Sequence, residues 1–232
     1  MLKVRRSADR GYADHGWLKS YHTFSFADYY DPQWMGYGPL RVINDDRVAP
    51  GQGFGKHGHR DMEILTYILT GELEHRDSMG NGSVIRTGDV QGMSAGTGVT
   101  HSEFNPSATA EVHFLQIWIL PDVQRLTPGY EQKHFTAADK RGRLRLIAAP
   151  DAADGALLLH QQARVYAGLL EGAERTEFRV AEGRRAWLQV ARGELSVDDV
   201  RLSAGDGART PGPAQLTLHG GAAAEVLVFD LP

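Results

Sequence analysis

A short segment that occurs twice is the feature of this sequence that most constrains its fold. Residues 65–73 read Leu-Thr-Tyr-Ile-Leu-Thr-Gly-Glu-Leu, and residues 188–195 read Leu-Gln-Val-Ala-Arg-Gly-Glu-Leu. Each copy is followed by a short run that alternates apolar and polar residues and then by a Gly-Asp pair, which begins at Gly88 in the first half and at Gly205 in the second. Because internal repeats mark duplicated structural units, this pattern predicts two similar domains in tandem.

The residues around the repeats favour strands over helices. The chain has 27 glycines and 10 prolines, and these punctuate short runs that are rich in β-branched and aromatic residues, as in a β-sandwich or barrel. The pair Asn81-Gly82 predicts a hairpin with a type I′ turn. The clearest predicted strands cover residues 62–69, 112–120, 186–190 and 225–231. We therefore predict an all-β fold of two tandem antiparallel β-barrel domains with minor helix.

The predicted domain boundary lies near residue 135. Residues 136–153 separate the two copies and are rich in Ala, Arg, Asp and Gly. The sequence thus predicts an N-terminal domain over residues 1–135 and a C-terminal domain over residues 136–232.

Composition excludes several classes of function. The 25 Lys and Arg residues and 29 Asp and Glu residues give a net charge of −4 without a block of like charge, so we expect no direct nucleic-acid contact through a basic face. The absence of cysteine excludes disulfides, thiolate nucleophiles and Cys-ligated metals. No secretory signal is apparent, and no run approaches the roughly 18 apolar residues of a membrane span, so we expect a cytoplasmic protein without membrane contact.

Two motifs in the first half place potential metal ligands at strand spacing. His57 and His59 follow a glycine-rich turn, and His101 and Glu103 follow a loop of small residues. Side chains two residues apart on a strand project from one face, so two such strands facing each other would bring four donors together. Imidazole and carboxylate ligands suit one divalent transition-metal ion, and Fe, Ni, Cu, Mn and Zn are all compatible. Surface or hydrogen-bonded core histidines are the alternative interpretation.

The same residues resemble the two motifs of the cupin superfamily. The first motif is matched by Gly51, His57, His59, Glu63 and Gly71. The second motif is matched by Gly88, Ser94, Gly96, His101 and Asn105. The first has one extra residue before its last glycine, and the second has serine where proline is usual and two extra residues before its histidine. With these departures, and with residues 9–11, 22–26 and 101–106, the sequence resembles the pirin family. The resemblance is closest to the bacterial pirin-like quercetin dioxygenases.

The resemblance implies a bicupin of two jelly-roll domains with one metal ion in the N-terminal domain. Its ligands would be His57, His59, His101 and Glu103. The implied activity is that of a quercetin 2,3-dioxygenase-type oxidoreductase, which cleaves a flavonol with O₂, and Glu103 is the predicted catalytic base. Glu63 is interpreted as a structural residue or an outer partner of the ligands, although many cupins use this glutamate as a ligand.

The second copy is predicted to be free of metal. The positions that correspond to the ligands carry no histidine, and His219 is close to one of them but stands alone. The remaining histidines lack ligand spacing and are predicted to be structural or exposed; they are His15, His22, His75, His113, His134 and His160. An aromatic cluster is predicted to form mostly core, with a minority of its members walling a pocket; it comprises Tyr21, Phe24, Phe26, Tyr29, Tyr30, Trp34 and Tyr37.

Two further functions compete with the dioxygenase. One is a non-enzymatic, metal-sensing regulatory module that binds a protein partner, as pirin-family proteins are also proposed to do. The other is an isomerase or sugar-type cupin. An open apolar pocket that reaches the metal would favour the oxygenase, because an oxygenase must admit O₂ and a small aromatic substrate whereas a regulator needs only a responsive surface.

Overall fold

Antiparallel strands make up nearly all the regular structure of the computed structural model, which describes residues 2–232. In chain order the strands are β1 (Lys3–Arg5), β2 (Gly11–Asp14), β3 (Leu18–His22), β4 (Leu40–Val48), β5 (Gly53–His59), β6 (Glu63–Thr70), β7 (Glu72–Asp77), β8 (Gly82–Arg86), β9 (Asp89–Ser94), β10 (Val99–Phe104), β11 (Val112–Ile119), β12 (Gly129–His134), β13 (Leu144–Ala149), β14 (Leu157–Leu158), β15 (Arg164–Leu170), β16 (Arg175–Val180), β17 (Arg185–Val197), β18 (Val200–Ser203), β19 (Gly207–Thr210) and β20 (Ala214–Leu231). The helical segments are α1 (Ala137–Lys140) and the short 3₁₀ turns Ser7–Asp9 and Ala153–Gly155. The predicted all-β class is confirmed.

The described chain divides into two units, each built from separate stretches of sequence. The N-terminal unit consists of Gly11–His134 and Leu157–Gln161. The C-terminal unit consists of residues 2–10, Phe135–Ala156 and Gln162–Pro232. The domain boundary near residue 135 stays a prediction.

The N-terminal unit is a sandwich of two antiparallel sheets. One sheet has the strand order β12-β9-β6-β11-β4-β3-β2, and the other has the order β5-β10-β7-β8. A buried apolar cluster joins them, with Ile68, Val112 and Phe114 contributed by the first sheet and Leu73 and Ile85 by the second. The sheets are open at their edge strands instead of closing into a barrel.

The C-terminal unit is organised around two long, bent strands. Its sheet has the order β1-β19-β17-β20-β15-β13, and β18 and β16 pair with the far ends of β17 and β20. Irregularities in the pairing after Val190, Arg192 and Glu194 let β17 bend and change neighbours. The predicted strands at 186–190 and 225–231 are therefore parts of longer strands whose bends interrupt the alternating pattern.

The repeated glycines have a common backbone role. Gly71 and Gly193 both adopt positive φ, at 80° and 60° respectively. A Cβ atom at Gly193 would lie 2.2 Å from the carbonyl oxygen of Ala222, so a side chain is excluded there. The repeat thus marks a glycine with left-handed backbone conformation in each unit, between β6 and β7 in the first and within the bent strand β17 in the second.

The predicted hairpin after β7 is present, but its predicted turn type is wrong. Strand β8 begins at Gly82, so the loop spans residues 78–81 instead of centring on Asn81-Gly82. Asp77 organises this loop, because its Oδ1 accepts hydrogen bonds from the backbone N–H groups of Met79 and Asn81 at 2.9 and 3.0 Å. The side chain of Asp77 supports a longer loop than a two-residue turn.

Helices contribute little to either unit. Helix α1 is four residues long and is capped by Thr136, whose side chain accepts a hydrogen bond from the backbone N–H of Asp139. Within residues 2–232, no helix combines the length and hydropathy needed to cross a lipid bilayer.

Candidate metal centre

Three histidines converge on adjacent strands of the four-stranded sheet. His57 and His59 lie on β5, which pairs with β10 so that His101 stands directly opposite His57. Nε2 of His101 lies 3.0 Å from Nε2 of His57 and 2.9 Å from Nε2 of His59. The two motifs therefore meet as neighbours within one sheet, not as the facing strands considered from the sequence.

Glu103 lies beside this cluster because the pairing of β10 with β5 shifts after His101. A Cβ atom at Gly53 would lie 2.2 Å from the carbonyl oxygen of Glu103, which explains the glycine at this point of close approach. The side chain of Glu103 is buried, and its Oε2 accepts a hydrogen bond from Nε2 of Gln116 at 3.2 Å. Oε1 of Glu103 is buried without a hydrogen-bond partner.

Two sets of potential ligand atoms share His101. Nitrogens of His57, His59 and His101 lie within 4.8 Å of one another, and so do ligand atoms of His75, His101 and Glu103. Glu103 is thus grouped with His75 and His101, and not with His57 and His59. A buried carboxylate oxygen without a hydrogen-bond partner is costly unless a cation or a proton satisfies it. The donor set therefore fits one divalent transition-metal ion.

The imidazoles are oriented by groups behind them. Nδ1 of His57 donates to the carbonyl oxygen of Gly55 at 2.8 Å, which leaves Nε2 as the acceptor. His101 is backed by His75, with 3.4 Å between their Nδ1 atoms, and Nε2 of His75 lies 3.2 Å from Oδ2 of Asp77. A proton donated by His75 to Asp77 leaves the lone pair of His75 Nδ1 as an acceptor for its two neighbours, Nδ1 of His101 and Nε2 of Gln91, the latter at 3.3 Å. If His101 donates from Nδ1, its Nε2 keeps its lone pair.

His75 and Asp77 adjoin the candidate ligands, and the sequence interpretation did not assign them to the site. His75 was predicted to be structural or exposed, and it is fully buried behind a predicted ligand. The usable signal was the spacing His75-x-Asp77, which places both side chains on one face of β7. Strand β7 pairs with β10, and Glu103 stands opposite His75.

We expect Asp77→Asn to weaken metal binding by roughly 10- to 100-fold, because partners behind metal-bound histidines fix their tautomer and orientation. The amide can keep the shape of the side chain but not its negative charge. Competition against a chromogenic chelator measures the affinity. The matched control is Asp61→Asn, since the Asp61 carboxylate accepts from the backbone of Arg125 and does not contact the cluster. Equal affinities for Asp77→Asn and wild type would contradict the assignment.

Burial keeps two of the clustered imidazoles, those of His59 and His101, neutral. Burial and, to a smaller extent, the neighbouring His57 together lower the pKa of His59 to about 4. Burial likewise lowers the pKa of His101 to about 3, with added contributions from His57 and His59. Both side chains are thus in the metal-binding form at neutral pH. Burial also raises the pKa of Glu103 to about 7, and the nearby Asp46 carboxylate adds to this shift.

Glu63 lies apart from the clustered ligand atoms. Its Oε2 accepts hydrogen bonds from the hydroxyl of Ser94 at 2.9 Å and from the backbone N–H of His160 at 3.1 Å. Nδ1 of His160 also lies 3.2 Å from this oxygen. These contacts agree with a structural role, because they tie the segment Leu157–Gln161 to strands β6 and β9 of its own unit.

A cavity of about 680 Å³ opens onto the cluster. His57, His59 and Glu103 lie in its wall. Its aromatic lining consists of Tyr12, Trp17, Phe26, Tyr29, Phe54 and Trp118. From the predicted aromatic cluster, Phe26 and Tyr29 line the cavity, whereas Phe24 and Trp34 are buried. Two of the unassigned histidines, His15 and His22, also line it.

Asp46, another cavity residue, gives a pH-dependent prediction. Burial raises the pKa of its carboxyl from 3.8 to about 7, although a hydrogen bond from Ser20 opposes the shift. The folded state therefore binds a proton that the unfolded state has lost above pH 4, and this contribution to stability disappears as the pH rises through 7.

We expect Asp46→Asn to become more stable relative to wild type, by on the order of 2 kcal/mol, when the pH is raised from 5 to 8, because the amide cannot ionise. Urea unfolding of both metal-free proteins at several pH values measures the difference. A difference independent of pH would contradict the raised pKa.

The C-terminal unit was predicted to lack a metal, and this stays a prediction. The two ligand sets found among residues 2–232 both belong to the N-terminal unit. Nε2 of His219 lies 2.9 Å from the carbonyl oxygen of Asp198 and is exposed.

Two jelly-roll units, one of them presenting clustered imidazoles and a carboxylate on neighbouring strands, define a bicupin with a candidate metal centre. The chain belongs to the pirin family. The family profile described as Pirin matches residues 2–119, and the profile described as Quercetinase C-terminal cupin domain matches residues 146–231. The predicted bicupin fold and family are confirmed.

Relatives of known structure share the whole fold. The chain is 48% identical over 232 residues to quercetin 2,3-dioxygenase of Escherichia coli strain K12, covering 100% of this chain and 99% of that protein. The crystal structure of the bacterial pirin YhhW from Escherichia coli in complex with nickel(II) is 47% identical, with a TM-score of 0.95 and coverage of 100% and 99% of the two chains. The protein YhaK from Escherichia coli is 33% identical, with a TM-score of 0.77 and coverage of 96% and 98%. The nickel-bound relative agrees with the predicted cofactor of one divalent transition-metal ion.

Proposed function

We propose that this chain is a metal-dependent dioxygenase that cleaves a flavonol such as quercetin with O₂. The observation that carries the proposal is the aromatic cavity, which reaches His57, His59 and Glu103. A flat polyphenol suits aromatic walls, and a volume of about 680 Å³ is within the range of small-molecule sites. The relative named quercetin 2,3-dioxygenase, at 48% identity over the full chain, supports the same activity.

We assign His57, His59, His101 and Glu103 as the ligands of one divalent ion. The first three are supported by their converging Nε2 atoms, and Glu103 by its buried, unpartnered Oε1. The nickel(II) complex of the bacterial relative supports the metal class. Fe, Ni, Cu, Mn and Zn all suit this donor set. When bound, the ion supplies Lewis-acid stabilisation to a substrate oxygen that loses its proton.

Glu103 is the group in the cavity best placed to accept that proton. Burial raises the pKa of its carboxyl to about 7 and a bound cation would lower it, so the assignment rests on the position of Glu103 in the cavity wall. Gln116 positions it, because Nε2 of Gln116 donates to Oε2 of Glu103 while Oε1 of Gln116 accepts from the Thr66 hydroxyl at 2.8 Å. With Oε1 of Glu103 assigned to the ion, the proton passes to Oε2, which keeps a second lone pair beside the hydrogen bond from Gln116.

The second candidate function is a metal-sensing module that binds a protein partner. A regulator does not require a cavity lined by aromatic side chains next to the ligands, whereas an oxygenase must admit a small aromatic substrate and O₂. The cavity therefore favours the oxygenase.

Oxygen consumption tests the proposal directly. The protein is loaded separately with Fe(II), Ni(II), Cu(II) or Mn(II), and O₂ uptake and quercetin absorbance are followed per bound ion. We expect turnover with at least one of these ions and none with the metal-free protein. If no loaded form turns over quercetin, the regulatory module becomes the better interpretation.

A further inference from the structure

We infer that Asn44 and Asp46 form a recognition site for a second hydroxyl group of the aromatic substrate, beyond the oxygen that reaches the metal. The inference rests on the proposed function. It concerns which aromatic compounds the cavity selects, whereas the proposed function concerns the reaction.

Asn44 and Asp46 present buried acceptor atoms to the cavity. They lie two residues apart on β4, so both side chains project from the same face of the strand. Both line the cavity, and their residues are only 3% and 4% exposed. Oδ1 of Asn44 and Oδ1 of Asp46 are both buried without a hydrogen-bond partner. Two such acceptors are expensive to bury unless a ligand supplies donors.

The intervening residue Asp45 is satisfied by the protein itself. Its Oδ1 accepts from Nε2 of His113 at 2.6 Å and from Nη1 of Arg47 at 3.2 Å. Asp45 does not line the cavity. Asp45, outside the cavity, has hydrogen-bond partners for its carboxylate, whereas its neighbours Asn44 and Asp46 each have an unpartnered oxygen. The unpartnered oxygens therefore lie on the face of β4 that lines the cavity.

The acceptors lie at the metal end of the cavity. Asn44 stands directly opposite Gln116 in the pairing of β4 with β11, and Gln116 contacts Glu103. The Asp46 carboxyl is close enough to Glu103 to contribute to its raised pKa. A hydroxyl bound here is therefore near the reacting part of the substrate, on the same ring system as the oxygen that reaches the metal.

Phenolic hydroxyls match these oxygens because each supplies one O–H donor at the edge of a flat ring. An aromatic compound with a single hydroxyl uses it at the metal and leaves the Asn44 and Asp46 oxygens without donors. Sites built to bind a hydroxyl reject analogues that lack it, because their own polar groups then stay unpaired. The cavity should thus select polyhydroxylated flavonols over flavonols with one hydroxyl.

Ligand binding without turnover tests this selection. Nickel-loaded protein is titrated anaerobically by calorimetry with galangin, which carries three hydroxyls, and with 3-hydroxyflavone, which carries one. We expect wild type to bind galangin at least about 10-fold more tightly. Asn44→Leu and Asp46→Leu, which remove the acceptors while keeping similar volume, should each lower this preference several-fold. Asp45→Asn, on the same strand but outside the cavity, should keep it.

The outcomes separate the inference from the proposed function. Equal affinity of wild type for the two compounds would overturn the inference and leave the dioxygenase proposal standing, and this result needs no variant to fold. An unchanged preference in a folded Asn44→Leu or Asp46→Leu protein would also overturn it. Failure of wild type to bind either flavonol would overturn the inference together with the proposed function.

Discussion

Glu103→Gln is expected to lower turnover of quercetin per bound metal ion by roughly 10²- to 10⁴-fold, the usual contribution of a positioned general base. The amide has nearly the same shape and can still accept the hydrogen bond from Gln116, so the fold should persist. The three histidines should retain part of the metal. What the variant loses is a carboxylate oxygen that can take a proton from the substrate.

O₂ uptake and flavonol absorbance, both divided by the measured metal content, separate lost chemistry from lost metal. Glu63→Gln is the control, because Glu63 is a buried glutamate on a neighbouring sheet whose contacts are with Ser94 and His160. It should change the rate per bound ion much less. Normal turnover by Glu103→Gln would rule out Glu103 as the base.

His101→Ala is expected to weaken metal binding by more than roughly 100-fold, since even the loss of an outer partner of a metal ligand costs 10- to 100-fold. His101 is central to the cluster, because its Nε2 lies within 3.0 Å of both His57 and His59. The fold should remain, because the apolar core between the sheets does not depend on an ion. Elemental analysis after purification measures occupancy, and circular dichroism checks the fold.

His219→Ala is the matched control for the loss of a histidine. His219 lies in the C-terminal unit next to a repeat-equivalent position, and its side chain bonds to the backbone carbonyl of Asp198. The variant should keep the metal content of wild type. Full occupancy in His101→Ala would exclude the proposed ligand set.

The strand spacing of each ligand motif was enough to predict which of its side chains project from the same face, but their convergence depended on the two strands meeting. Two-residue periodicity determines the face on which a side chain lies, so His57 and His59 could be assigned to one direction before their neighbours were known. The repeat was equally informative, because Gly71 and Gly193 both adopt a positive φ, which favours glycine. Features of local backbone conformation could therefore be predicted from the nearby sequence.

Strand pairing, in contrast, could not be deduced from the sequence. His75 supports His101 only because β7 pairs with β10, and nothing near His75 in the chain indicates that neighbour. Similarly, Asn44 and Asp46 reach the cavity because β4 pairs with β11 in a particular register. These contacts link residues far apart in the chain, so spacing alone carries no signal for them. The bends of β17 likewise depend on its partners.

The interleaving of the two units along the chain limits how they can be made and inherited. Glu63 accepts a hydrogen bond from the backbone N–H of His160, which lies 97 residues later in the chain. During synthesis, the N-terminal unit therefore cannot be completed until His160 has been added. Likewise, strand β1 is among the first segments synthesised, but it can pair only after β19, near the other end of the chain, has been made. A gene fragment ending at residue 135 would encode Glu63 without His160 and β1 without its sheet. Recombination at that point would separate residues that contact each other in the folded protein.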